Sequence, residues 1–196
     1  MTITISDRQF EIIEAAGKIL TTFGISGLTI KNLAKEMKFS ESALYRHFTS
    51  KEEIIIVLLE YLAKNMEERY TTAISIEQSP EDKFITLFQN QFSFFNENPH
   101  FVVAVFSDGL LEESIRINEV MMKIMNVKIK HLLPIISEGQ QKKIFTNSIT
   151  SDELIHIVMG TFRLQMFKWR IANFQFDISR NGDNMIQALL TLIKNK

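Results

Sequence analysis

LTIKNLAKEMKFSESALYRHFTSK, residues 28–51, reads as two short helices joined by a tight bend. In the first half, Ile30, Leu33, Ala34 and Met37 recur at three- and four-residue steps, the apolar stripe of a helix that Thr29 caps. In the second half, Leu44 and Phe48 mark the stripe of a helix from Glu41 to His47, with Ser40 as its cap. Ala34 is small enough for the helices to cross closely, and Phe39 in the bend plugs the space between them. Glu41, Ser42, Tyr45 and Arg46 are left pointing outward, with His47 and Lys51 at the edge. This is the pattern of a helix-turn-helix, whose second helix enters the major groove and reaches base edges with its N-terminal residues. Hydroxyls and helix N-termini bind phosphate oxygens, a role open to Thr29, Ser40 and Ser42. The candidate DNA-binding set is Thr29, Lys31, Ser40, Glu41, Ser42, Ala43, Tyr45, Arg46, His47 and Lys51.

On either side the periodicity stays helical. Phe10, Ile13, Ala16, Leu20 and Phe23 describe an amphipathic first helix, opened by a Ser6–Gln9 capping box and ended by Gly24 and Gly27. Ser50 and Glu53 form a second capping box, on a long fourth helix toward Ile76. Ser79-Pro80 starts a fifth helix that Pro99 stops after Asn98. A short helix is expected over 100–107, broken by Gly109. The next runs from about Glu112 to Ser137, with Pro134 bending or ending it. Thr150 and Glu153 cap a very apolar helix to about Asn173, and the last runs from Ile178, or after Gly182, to Lys194. No segment alternates long enough to argue for a sheet. The expected fold is all-α, about nine helices: a DNA-binding head over 1–50 and a helical body over 51–196.

Composition agrees with a globular protein, at 45% apolar and 23% charged residues. The net charge of −1 divides into +2 over residues 1–51 and −3 beyond, the sign expected of a binding head on a neutral body. No apolar run approaches the roughly 18 residues of a membrane span, and no signal peptide is evident, so a cytoplasmic location is expected. With no cysteine in the chain, disulfides, Cys-ligated zinc and a cysteine nucleophile are excluded.

The residues TIKNLAKEMKFSESALYRHFTSKEE, followed by a long helix and a helical body, resemble the TetR family of bacterial transcription regulators. The likeness rests on Thr29, Ile30, Leu33, Ala34, Ser40, Leu44, Tyr45, His47, Phe48, Lys51, Glu53 and Ile54. It covers about residues 7–60. It implies that Thr29, Tyr45, His47 and Lys51 meet backbone phosphates, and that Ser40, Glu41, Ser42 and Ala43 lie at or near the groove. Two positions depart from the pattern. Lys38 stands in the bend where glycine is usual, so the turn must tolerate a side chain or differ in backbone geometry. Glu41 stands where a basic or neutral residue is common; it either accepts from a cytosine amino group or lies outside the contact.

The same resemblance implies a homodimer built on the last two helices. The residues agree: the helix over 154–176 is apolar on more than one face and must be buried on several sides. Phe162, Trp169, Met185, Ile186, Leu189, Leu190 and Ile193 are the candidate interface, although completing one monomer's own core would explain them too. A ligand pocket between the helices over 80–98 and 151–173 is also implied. Phe88 and Phe92, from the stripe Phe84, Phe88, Phe92 and Phe95, would line it with Met122, Met125, Met159 and Met166. His156 and Arg163 would be its polar anchors, or else engage in internal pairs. Partners are therefore a double-stranded operator, a second copy and an unidentified small-molecule effector, with no membrane and no cofactor.

The function expected is that of a repressor that a small apolar or amphipathic ligand releases from a palindromic operator. A ligand-independent DNA-binding protein or an activator is the main alternative. An enzyme is the reading least supported. The four histidines lack metal-ligand spacing, and there is no H-E-x-x-H, glycine-rich phosphate loop or G-x-S-x-G.

Overall fold

The computed structural model describes residues 5–106, 108–111 and 114–195. Among these it contains ten helices: α1 (Asp7–Gly27), α2 (Ile30–Met37), α3 (Glu41–Leu44), α4 (Lys51–Ala73), α5 (Pro80–Glu97), α6 (Pro99–Val105), α7 (Asp108–Leu111), α8 (Ile115–Gln141), α9 (Ser151–Ile171) and α10 (Ile178–Ile193). The described residues hold no sheet, only an isolated bridge between Phe145 and Lys194. No helix among them is long and apolar enough to cross a membrane.

Side-chain caps fix most of the helix starts. Ser6 and Gln9 close a full capping box on α1, as Thr150 and Glu153 do on α9. The hydroxyls of Thr29, Ser40 and Ser79 each accept from a backbone N–H one turn ahead. At α4 the box is divided differently from the expected Ser50–Glu53 pair. The Ser50 hydroxyl accepts from Glu53 N at 3.1 Å, but the Glu53 carboxylate reaches one residue further back, accepting from Thr49 N at 2.5 Å and Thr49 Oγ1 at 2.6 Å.

Several ends differ from the sequence-based expectation. Helix α1 continues past Gly24, which sits at φ 67° as a kink inside it. Helix α4 ends at Ala73 rather than near Ile76. Pro99 stops α5 by opening α6, and Gly109 lies inside the short α7 instead of breaking a helix. The expected boundaries at Ser107 and Glu112 lie outside the described residues. Pro134 neither ends α8 nor stops it from reaching Gln141. A mid-helix proline costs about 3 kcal/mol. The burial of Leu132, Ile135 and Ile136 around it offsets that cost.

The chain forms two compact units. One comprises Met1–Asn65 with His100–Ile124, the other Met66–Pro99 with Met125–Lys196. In the first unit Ile12, Ile13, Leu20, Leu33, Leu44, Phe48 and Leu59 make the core. Tyr61 packs between Phe10 and Phe101. In the second unit α10 lies along α5, so closely that Gly182 has no room for a side chain beside Phe92. Phe84, Phe88, Phe92, Phe145 and Phe162 form a continuous aromatic core there.

Candidate functional site

The bend between α2 and α3 is made by Lys38 itself. Its backbone is left-handed, at φ 56° and ψ 39°, the conformation a glycine adopts without cost. The turn therefore keeps its geometry and tolerates the side chain. Phe39 follows, half-buried, with the Arg8 guanidinium 5.1 Å from its ring centroid. That contact joins α1 to the bend. A second tie is made where Gln9 Nε2 donates to the His47 carbonyl at 3.4 Å.

Leu33, Ala34, Leu44 and Phe48 are buried and hold α2 and α3 together. On the other side Thr29, Lys31, Ser40, Glu41, Ser42, Tyr45 and Arg46 are exposed, Tyr45 to 53%. An aromatic side chain left half in solvent is the unusual feature of this surface. Ala43 and His47 are half-buried. Helix α3 proper ends at Leu44, and residues 45–47 continue as a turn rather than as the expected helix. The cap hydroxyl of Thr29 accepts from Asn32 N at 3.1 Å, which leaves its own proton to donate. Ser40 and Ser42 share a hydrogen bond at 3.0 Å. Lys51 is half-buried, and its ammonium donates to the Ile25 carbonyl at 3.4 Å. It thus ties the start of α4 to the end of α1.

The residues expected to line a pocket do not come together. Phe88, Phe92 and Met166 are buried in the aromatic core and Met159 is half-buried. Met122 and Met125 are exposed on α8, at 54% and 45%, and His156 and Arg163 are exposed on α9. The polar pair sits on the outward side of a helix that is apolar nearly all round, so its expected burial does not occur. His156 instead sits over its own helix, with Nδ1 2.8 Å from the Asp152 carbonyl. A shallow cleft of about 260 Å³ lies elsewhere in the same unit, among Ile76, Lys83, His131, Pro134 and Glu138.

The polar residues that are buried in this unit were not among those expected. Gln91 on α5 is 1% exposed and Lys128 on α8 is 3% exposed. The Gln91 side-chain carbonyl accepts from Tyr70 Oη at 2.8 Å and from Arg69 Nη2 at 3.3 Å. Burial holds the Tyr70 hydroxyl well above its ordinary range, so it stays a donor. The Lys128 ammonium is 3.1 Å from the centroid of the Phe162 ring. Burial, and then the nearby Arg69 cation, push it well below an ordinary lysine. Its position was visible in the sequence: Ile117, Ile124, Lys128, Leu132 and Ile135 share one buried stripe of α8, and Lys128 breaks its apolar pattern.

The expected interface residues are also placed differently. Phe162, Trp169, Met185, Ile186, Leu189, Leu190 and Ile193 are buried within their own unit. Helix α9 turns another stripe outward: Ile157, Leu164, Phe167 and Ile171, at steps of seven, three and four residues, with exposed Gly160 between. Leu192 is a large exposed apolar residue of α10.

Comparison with known proteins agrees with both parts of the chain. Residues 12–58 match the family model described as bacterial regulatory proteins, tetR family, and residues 60–192 match that of the YsiA-like protein, C-terminal region. The nucleoid occlusion factor SlmA of Vibrio atlanticus is 24% identical over 190 residues, covering 96% of this chain and 97% of its own. Among solved structures, the fatty acid degradation regulator FadR of Bacillus halodurans superposes with a TM-score of 0.88 at 15% identity, over 99% of this chain and all of its own. The transcriptional regulator FadR of Bacillus subtilis, solved in complex with stearoyl-CoA, gives 0.82 at 18% identity, over 94% and 98%.

Proposed function

The chain belongs to the TetR family of DNA-binding transcription regulators, and from that premise we propose that it is a repressor which binds a palindromic operator as a homodimer and is released by an acyl ligand. The observation that carries the reading is the surface of α2 and α3. It is held rigid from behind by Leu33, Leu44 and Phe48, and it presents Tyr45, Arg46, Thr29 and Lys31 with no protein to cover them. Phosphate contacts fix the register of such a head, and residues at the start of the second helix read bases. Thr29, Lys31, Ser40, Tyr45, Arg46 and His47 are assigned the phosphates. Ser42, Ala43 and Glu41 face the groove, where Glu41 would select a cytosine. Lys51 is bonded to Ile25, so its main role is to brace the head on α4.

Two half-sites need two heads. The outward stripe of α9 with Leu192 supports a two-fold contact, because large apolar groups in a periodic row are seldom left in water. The effector reading draws on the likeness to FadR of Bacillus subtilis, whose solved complex contains stearoyl-CoA, and on the phenylalanine-rich interior of the second unit. The likeness to regulators also supports a role without catalysis, exercised in the cytoplasm where the chromosome lies.

Selection of bound sequences from a random duplex pool tests the proposal. It should return an inverted repeat with half-sites about one helical turn, or a multiple of it, apart. Tyr45→Phe should weaken binding to that duplex roughly tenfold or more through loss of a charge-assisted hydrogen bond. Recovery of no preferred sequence, with a steep salt dependence only, would refute site-specific regulation.

A further inference from the structure

Among the described residues of the second unit, three buried side-chain nitrogens make no hydrogen bond; His131 Nε2 lies 3.2 Å from the Glu67 carboxylate, which leaves Lys128 Nζ and Gln91 Nε2 as two donors without an acceptor. The orientation of Gln91 is set by its neighbours: Arg69 can only donate, so the amide must turn its oxygen toward Arg69 and Tyr70. Its NH₂ group is thereby turned away from them.

The two donors belong to one locality. The Lys128 ammonium lies 4.8 Å from the centroid of the Phe88 ring, and Gln91 follows Phe88 by one turn of α5. Arg69, which holds Gln91, is close enough to oppose the charge on Lys128. The faces of Phe88 and Phe162 attract a cation but replace only part of its lost hydration. Nearby carboxylates are engaged by other cations: Glu67 by Lys130 and His131, Glu138 by Lys83 and Lys142, and Glu81 by Lys194. Among the described residues the locality lacks an acceptor for these two donors, and the rings of Phe88 and Phe162 lie against Lys128.

We propose that Lys128, with the Gln91 amide, anchors the carboxylate or thioester carbonyl oxygen of an acyl ligand. This rests on the acyl-effector reading above and adds to it the residue that selects the head group. A lysine is the fitting donor for such a role, since a buried cation gains most from an acceptor that arrives with the ligand.

The test is calorimetric titration of the wild-type protein and Lys128→Met with palmitate, palmitoyl-CoA and 1-hexadecanol, each below its aggregation limit. Wild type should prefer at least one of the two acyl ligands to the alcohol by tenfold or more. Tight palmitate points to the carboxylate, and tight palmitoyl-CoA to the thioester. Lys128→Met should lose that acyl affinity by roughly 10- to 100-fold, the loss of one charged hydrogen bond, while binding the alcohol as before. Its Tm should be equal to or above that of wild type, because methionine fills a similar volume without an unpaired charge, so lost affinity will not reflect misfolding. Unchanged acyl binding by the variant, or equal binding of alcohol and acyl ligands by wild type, overturns the anchor and leaves the effector reading intact. Failure of wild type to bind any of the three overturns both.

Discussion

Lys38 and Glu53 show how single residues set the head. Lys38 holds a left-handed backbone at φ 56°, which costs an L-residue roughly 1–2 kcal/mol relative to the right-handed region. Lys38→Gly removes that strain, although glycine also gains entropy in the unfolded chain. A net gain of about 0.5–1 kcal/mol is expected, read as a higher urea midpoint with an unchanged m-value. Glu53 governs the start of α4. Hydrogen bonds from the Thr49 hydroxyl, then from its backbone N–H, hold the carboxyl below its ordinary value of 4.5. A group whose folded pKa is depressed stabilises the fold fully above its unfolded value, and loses that contribution as pH falls through the folded one. Glu53→Gln should therefore be less stable than wild type at pH 7. The difference should shrink steadily as the pH falls below 4.5, measured by thermal melts across that range.

At the scale of helices, close approach and exposed faces decide the packing. A methyl group at position 182 would lie 2.5 Å from Phe92 Cδ2 and 2.6 Å from Cε2. The Phe92 ring is buried and stacked near Phe162, so it cannot swing aside. Gly182→Ala should lower stability by about 1–3 kcal/mol, the cost of overpacking, seen in the denaturant midpoint. The outward row of α9 makes the opposite prediction, since Leu164 is 58% exposed and Phe167 is 42% exposed. Leu164→Glu should leave the monomer folded and shift sedimentation from dimer to monomer; a persistent dimer would place the interface on another face. The sequence showed that α9 is apolar on more than one face, but not which side meets α5 and α10. Periodicity names a stripe only when the other faces are polar, so it does not separate the buried Phe162 and Trp169 from the exposed Leu164 and Phe167. The head was legible because its signals are local: Thr29 and Ser40 as caps, Leu33, Ala34, Leu44 and Phe48 as the stripe. The interior polar site was not. Gln91 and Lys128 lie 37 positions apart, and only packing within the unit sets Lys128 over Phe88, one turn of α5 from Gln91.

Across the whole molecule, α4 is the helix whose two ends carry residues of the head and of the interior site. It begins with Lys51 and Glu53 at the base of the DNA-binding surface, and ends with Arg69 and Tyr70 bonded to Gln91. An acyl oxygen arriving at Lys128 and Gln91 would change what Arg69 and Tyr70 hold, and the helix would carry that change back to the head. An effector shifts DNA binding only by its differential affinity for the two arrangements. The coupling is then reciprocal: whatever factor the acyl ligand takes from operator affinity, the operator takes from ligand affinity. Couplings of this kind are typically about 5- to 150-fold. Operator titrations at saturating palmitoyl-CoA, and palmitoyl-CoA titrations at saturating operator, should give one and the same factor within that range. Tyr70→Phe removes the hydroxyl that joins α4 to Gln91 but leaves the head and Lys128 untouched. It should keep both separate affinities within a fewfold of wild type and reduce the shared factor. A factor unchanged in Tyr70→Phe would show that the signal leaves the site by another helix.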